Sequence, residues 1–142
     1  MTFKPAALVF IAVPILLAGL PRISAADNPT VVVPKANLKW KAMGNGITAA
    51  PVSGDMQKGP SRFFLKYPVG LVTPKHHHDA DHYVTLVSGA ITITVGGKNY
   101  KLGPGSYFAL THKAPHTVKV EGKSEAVFFI QADGPWNVVM EK

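Results

Sequence analysis

Apolar and polar residues alternate through most of the chain after residue 60, with the two-residue period of β-strands. In residues 91–95 the isoleucines and the valine share one face and the threonines share the other. Turns rich in glycine or proline separate these runs about every 8–12 residues, which is typical of a sandwich or barrel. We predict an all-β domain whose strands cover residues 62–67, 69–73, 82–87, 90–95, 99–102, 107–110, 116–120 and 126–131.

The first 26 residues have the features of a secretory signal peptide. Lys4 gives a short positive start, residues 5–20 are apolar, and Ser24-Ala25-Ala26 supplies the small residues that signal peptidase needs. The alternative is a retained membrane anchor. A spanning helix needs about 20 apolar residues, whereas this run is shorter and contains Pro14. We therefore predict cleavage after Ala26 and a periplasmic or secreted protein without a stable membrane anchor.

Residues 27–60 interrupt the alternation. They contain four prolines and four glycines, and this density prevents long helices. The segment therefore predicts an extended arm with one short strand near residues 38–42. A single barrel domain is predicted to follow over residues 61–142.

Composition narrows the range of chemistry. The chain has 142 residues, enough for one domain, and 46% are apolar. There is no cysteine, so disulfides, cysteine-ligated zinc, iron–sulfur clusters and thiol nucleophiles are excluded. The formal charge is +7, but the lysines are scattered and there is no basic helix or arginine cluster. Nucleic acid is therefore not a predicted partner, because its binding normally needs a clustered basic face.

All six histidines lie between positions 76 and 116. Strand parity places His82 and His116 on the apolar, inward faces of their strands. His76 and His78 are two residues apart, so on a strand they face the same way and His77 faces the other. Imidazole is a common ligand for zinc, copper, nickel and iron. The predicted ligands of one metal ion inside the barrel are His76, His78, His82 and His116.

Other polar residues near this cluster are predicted to lie outside the metal site. His77 has the wrong parity, and His112 lies in a Thr-His-Lys loop, where side chains are mostly solvated. Asp79 and Asp81 flank a turn between the second and third inward histidines. They are either solvated turn residues or partners that orient the ligand imidazoles through their free ring nitrogens.

These residues carry a family resemblance. The pattern Gly70-x5-His76-x-His78-x3-His82-x6-Gly89 resembles the first motif of the cupin superfamily, and Gly105 through Pro115-His116 resembles the second. With the strand pattern, the match extends over about residues 61–134. The resemblance implies a small double-stranded β-helix, or jelly-roll, barrel with one metal inside. The ligands carried over by position are His76, His78 and His116.

His82 is the clear departure, because cupins usually have glutamate at this position. A fourth neutral imidazole would leave the full charge of a divalent ion uncompensated. Such a site favours an anionic ligand such as an enolate, β-dicarbonyl or carboxylate, and it acidifies a bound water. The alternative is that His82 packs behind the ligands or in the core.

We therefore predict an exported mononuclear cupin that binds one divalent transition metal (Zn, Cu, Fe, Ni or Mn) and a small, possibly anionic molecule. A dioxygenase-type oxidoreductase is the leading function. One alternative is a non-enzymatic periplasmic module that senses or carries a metal or small ligand. Another is an isomerase or lyase, which rests only on the family's breadth. A homodimer is the expected assembly. The sequence names no general base.

Overall fold

The computed structural model describes residues 30–142. The predicted signal peptide, residues 1–26, lies outside these residues. Within the described part of the chain, none of the helices has the length and apolar character needed to cross a membrane. A short 3₁₀ helix over Lys35–Asn37 precedes the strands.

Eleven strands form two antiparallel sheets in the described residues, which confirms the all-β jelly-roll prediction. The strands are β1 Lys41–Gly44, β2 Ile47–Gly54, β3 Ser61–Tyr67, β4 His76–His77, β5 His82–Ser88, β6 Ala90–Val95, β7 Lys98–Leu102, β8 Tyr107–Leu110, β9 His116–Glu121, β10 Ala126–Ala132 and β11 Val139–Met140. One sheet has the order β1-β2-β3-β10-β5-β8, and the other has the order β11-β4-β9-β6-β7. Consecutive strands often lie in different sheets, as a jelly roll requires.

Strict alternation of burial places the core between the two sheets. In β5 the inward residues His82, Val84 and Leu86 are buried, and β9 and β10 follow the same rule. β-Branched and aromatic side chains fill the space, because they pack well on a pleated surface. The interior is mostly apolar, and four buried histidines are its main polar side chains among the described residues.

The segment before residue 61 differs from its prediction. Instead of one short strand near residues 38–42, β1 and β2 form a hairpin, and β2 pairs with β3 along its length. Ala49 and Ala50 are buried by this pairing. Pro51 is accommodated because the register shifts between Pro51 and Ser53, and such an irregularity tolerates a residue that cannot donate a ladder hydrogen bond.

Residues 69–73 do not form the predicted strand. They run beside β9 and make one bridge, Val72 to Lys119. The extended run is broken at Gly70, whose φ of 74° lies in the left-handed region that glycine adopts readily. The two-residue strands β4 and β11 were not predicted, because two residues are too few for a periodicity to be visible.

Candidate metal centre

Four buried histidines gather at one end of the barrel. His76 begins β4, His82 begins β5 and His116 begins β9, while His78 lies one residue beyond the end of β4. All four side chains are at least 96% buried. The antiparallel register of β4 and β9 pairs His76 directly with His116, so these two rings lie side by side on one sheet. His82 faces them from the other sheet.

Three of the four histidines form a compact ligand set. The ring centroids are 4.3 Å apart for His76 and His116, 5.1 Å for His76 and His78, and 5.5 Å for His78 and His116. Each ring offers one nitrogen to a group whose members all lie within 4.8 Å of one another. This spacing allows three nitrogens to bind a single ion, whose bonds to imidazole are about 2.0–2.1 Å long for zinc.

His82 lies beside this triad rather than within it. Its ring centroid is 4.6 Å from that of His78 and 6.0 Å from that of His116. The structure thus brings all four predicted ligands together, with three in a tight group and His82 next to them. Whether His82 binds the ion directly stays a prediction.

Hydrogen bonds set the protonation of each imidazole. The Nδ1 atoms of His76, His82 and His116 contact the backbone carbonyl two residues earlier, at 2.8, 3.3 and 2.9 Å respectively. His78 Nδ1 contacts the carbonyl of Asn137. A carbonyl oxygen can only accept, so each Nδ1 carries a hydrogen, and Nε2 is the ring nitrogen left available to an ion. This is the arrangement expected of metal-binding histidines.

Burial keeps the imidazoles neutral. Desolvation, followed by the charge of nearby His82, lowers the pKa of His78 to about 3. Desolvation also lowers the pKa of His116 to about 4 and lowers that of His82. At neutral pH these rings are therefore unprotonated and able to bind a metal cation.

The neighbouring carboxylates face away from the cluster. Asp79 Oδ1 lies 2.7 Å from Lys113 Nζ, and this contact lowers the pKa of Asp79. Asp81 Oδ1 accepts a 2.9 Å hydrogen bond from the backbone N–H of His112. Neither aspartate hydrogen-bonds to a ligand imidazole among the described residues, so they act as turn residues.

The two histidines assigned to the outside are indeed outside the cluster. The exposed His112 has a φ of 56° in its loop. His77 points to the opposite side of β4 and contacts the carboxylate of Glu141 through Nδ1. His77 is therefore partly buried beside Glu141 rather than freely solvated, and the sequence contained no signal for that partner.

An apolar cavity of about 20 Å³, enough for about one water molecule, lies beside three of the histidines. Its walls are lined by Leu65, Tyr67, His78, His82, Val84, Phe108, Leu110, His116, Val118, Phe128, Ile130 and Trp136. Within residues 30–142, no aspartate or glutamate lines this pocket. Burial raises the pKa of Tyr67 to about 12, so its phenol stays protonated.

Trp136 is the residue that the sequence did not reveal. Its ring stacks on His78 with centroids 3.9 Å apart and planes 27° apart. It also meets the edge of His82 at 4.9 Å. Trp136 follows Gly134-Pro135 in a segment without strand periodicity, so no local pattern placed it beside the histidines.

The donor set fits a divalent transition metal. The cluster holds neutral imidazoles with free Nε2 lone pairs, and such nitrogens suit zinc, copper, iron and nickel. His76, His78 and His116 would hold the ion, which when bound supplies Lewis-acid or redox chemistry.

Comparisons with known proteins agree with this fold. The cupin domain family model matches residues 63–131. KdgF from Halomonas sp. superposes with a TM-score of 0.61 and 20% identity over 74% of this chain and 94% of that one. The polyketide cyclase RemF from Streptomyces resistomycificus superposes with a TM-score of 0.67 and 16% identity, over 80% of this chain and 87% of that one. The DMSP lyase DddQ from Ruegeria pomeroyi superposes with a TM-score of 0.61 and 15% identity, over 80% of this chain and 72% of that one.

The chain belongs to the cupin superfamily. At these identities the structural likenesses describe the fold and not the activity. No curated protein matches the sequence at a significant level.

Proposed function

We propose that this protein is an exported mononuclear metal cupin that acts on a small molecule with an anionic donor group and an apolar body. One observation carries the proposal. Four histidines are buried together, and three of them, His78, His82 and His116, line an apolar pocket that no described carboxylate lines. The donor group would face the metal, and the apolar body would lie against the apolar walls. Their side chains would have to move to admit it, because the cavity itself has room for about one water molecule.

His82 is proposed as the fourth ligand or as a close neighbour of the ion. In either role it contributes no negative charge, so a divalent ion keeps its full charge. A carboxylate, enolate or β-dicarbonyl would be attracted to such a site, because opposite charges interact strongly where water is excluded.

A dioxygenase-type oxidoreductase is the reaction class that we favour. The pocket offers histidines whose Nδ1 atoms are occupied and a phenol, Tyr67, whose raised pKa makes it a poor base. Because no aspartate or glutamate lines the pocket among the described residues, we assign the chemistry to the metal. The protein's own part is to bind the substrate, to orient it and to exclude water.

Two other functions rest on specific observations. A lyase or cyclase is supported by the structural relatives, which include a DMSP lyase and a polyketide cyclase. A non-enzymatic carrier or sensor of a metal or small ligand is supported by the deep burial of the histidines, which favours slow release. Export to the periplasm or the medium is proposed from residues 1–26, and the homodimer stays a prediction.

Elemental analysis of the protein purified from its native compartment is the first test, followed by oxygen uptake with a β-dicarbonyl. A redox-active metal at one ion per chain, with uptake that His116→Ala abolishes and His77→Ala retains, supports the dioxygenase. Zinc without oxygen uptake contradicts it. Breakdown or cyclisation of a substrate by the zinc form then favours the lyase or cyclase, and an inert zinc protein favours the carrier.

A further inference from the structure

The last residues of the chain hold the strand that carries the first two ligands. We call residues 133–141 the C-terminal strap. Its strand β11 pairs with β4, so that Met140 lies opposite His76 and Val139 lies opposite His77. The backbone N–H of Glu141 continues this pairing with a 3.0 Å hydrogen bond to the carbonyl of Lys75. The strap therefore forms one of the two neighbours of β4.

Asn137 fixes the turn immediately after β4. Its carbonyl accepts the hydrogen of His78 Nδ1, and its side-chain oxygen accepts a 3.0 Å hydrogen bond from the backbone N–H of Asp79. Its side-chain amide donates back to the carboxylate of Asp79. Two consecutive residues, His78 and Asp79, are thus held by one residue of the strap.

Trp136 covers the cluster from the side of the strap. Besides its stack on His78, its ring meets Phe63 edge-on at 5.1 Å. Its backbone N–H donates a 2.6 Å hydrogen bond to the carbonyl of Met56. Met56 lies between β2 and β3 of the opposite sheet, so this bond attaches the strap to that sheet. The indole is therefore held in place at both its backbone and its ring.

His78 depends on these contacts more than the other histidines do. It lies beyond the end of a two-residue strand, so no ladder of backbone pairing fixes its direction. His76, His82 and His116 donate to carbonyls within their own local segments, whereas His78 donates to a carbonyl 59 residues away. Its ring plane is fixed by Trp136 and its tautomer by Asn137.

We propose that the C-terminal strap, through Trp136, positions His78 as a metal ligand and controls how tightly the ion is retained. This inference rests on the proposed metal centre. The stack also favours the loaded state directly. An imidazole bound to a divalent ion becomes more positive, and the face of an indole attracts positive charge more strongly than a phenyl ring does. The expected order of metal retention is therefore Trp, then Phe, then Leu at position 136.

The test uses Co²⁺, whose visible absorption reports the geometry of its ligands. Trp136→Phe and Trp136→Leu are compared with wild type. The matched control is Trp40→Leu, at the other tryptophan, which lies over the Lys66 ammonium at 4.5 Å and not against the histidines. Co²⁺ affinity, the absorption spectrum and the rate of Co²⁺ release to excess EDTA are measured for each protein.

We expect Trp136→Leu to weaken Co²⁺ binding about 10–100-fold, as loss of a residue that orients a ligand usually does. Its Co²⁺ release should be faster and its absorption bands shifted. Trp136→Phe should lie between Leu and wild type, and Trp40→Leu should resemble wild type. Wild-type affinity, spectrum and release rate in Trp136→Leu would overturn the proposal. A lowered melting temperature with unchanged Co²⁺ binding would do so too, since it would show a purely structural role.

Tryptophan fluorescence keeps the test decisive if Trp136→Leu does not fold. In Trp40→Phe only Trp136 emits, and in Trp136→Phe only Trp40 emits. One equivalent of Cu²⁺ should quench Trp136 strongly and Trp40 weakly, and equal quenching would overturn the proposed contact. If wild type binds no metal, or if His116→Ala binds as well as His77→Ala, the metal centre itself is refuted. That outcome differs from one in which the wild type binds metal and substitution of Trp136 does not change the binding.

Discussion

His82 and His116 begin regular strands of seven and six residues, whereas His76 and His78 lie on and just beyond a strand of two residues. The first pair is directed inward by the ladder of its own sheet. The second pair is directed by a neighbour, β9, and by the C-terminal strap. The difference teaches that one cluster of buried histidines can combine side chains fixed by local strand geometry with side chains fixed by distant parts of the chain.

The largest effect is expected where a ligand is removed. His116→Ala should lower Co²⁺ affinity by more than about 100-fold, because even residues behind the ligands are worth about 10–100-fold. His77→Ala removes a histidine from the other side of β4 and should leave the affinity nearly unchanged. Calorimetric titration of both variants measures this. Equal loss of Co²⁺ in the two variants would contradict the inward assignment of His116.

A core substitution should separate folding from metal binding. Leu86 is fully buried on β5, four residues from His82, and it does not line the metal pocket. Leu86→Ala should lower the free energy of unfolding by about 2–5 kcal/mol, as deletion of a buried leucine side chain usually does. Urea denaturation measures the loss. Co²⁺ affinity of the folded variant should stay close to wild type. A fall in Co²⁺ affinity alongside the loss of stability would show that packing of the core and metal binding are coupled.

Acid should destabilise the metal-free protein through the buried imidazoles. The folded-state pKa is about 3 for His78 and about 4 for His116, compared with 6.5 for a free histidine. Below pH 6.5 the unfolded chain binds protons that the folded chain does not, so the free energy of unfolding falls as pH decreases. The loss continues until the pH reaches these lowered values.

Urea denaturation of the metal-free protein at several pH values between 7.5 and 4.5 measures this slope. His116→Gln removes one of the titrating groups and should give a shallower slope than wild type. An identical slope in the two proteins would show that His116 is not the source of the acid sensitivity.

The smallest expected effect concerns the charge of the site. His82→Glu should keep the metal, since a carboxylate oxygen also ligates it, but should weaken anion binding several-fold. Two unit charges ~4 Å apart interact with about 4 kcal/mol at an effective dielectric near 20, before screening and relaxation. Even about a quarter of that energy is a several-fold change in affinity. Calorimetry with acetate, azide or a β-dicarbonyl at matched metal content measures the change. If the variant binds anions as tightly as wild type, the residue at position 82 does not set the charge that attracts them.

The parts of this molecule that the sequence predicted well are those with a repeating local pattern. Alternation in β5, β6, β9 and β10 predicted both the strands and the inward direction of His82 and His116. The spacing of His76 and His78 predicted their shared face. In each case the information lies within a few neighbouring residues, and side-chain direction follows from strand geometry alone.

What the sequence did not predict depends on contacts between distant segments. The stack of Trp136 on His78 joins residues 58 positions apart, and the hydrogen bond between His77 and Glu141 joins residues 64 apart. Neither β4 nor β11 is long enough to show a period. β11 is formed by pairing with β4, and β4 pairs with both β11 and β9. The hairpin of β1 and β2 was missed because Pro51 argues against a strand. The strand accommodates this proline at a shift in its register with β3.

The carbonyls that accept from the four imidazoles have a consequence for mutational tolerance. Pro74, Ala80, Ala114 and Asn137 orient the rings through main-chain oxygens, which every amino acid possesses. A side-chain substitution at these four positions cannot delete the acceptor and can only move it. Orientation of the ligands is therefore robust to point mutation wherever the backbone path is kept, and it is most vulnerable to insertions and deletions that shift that path.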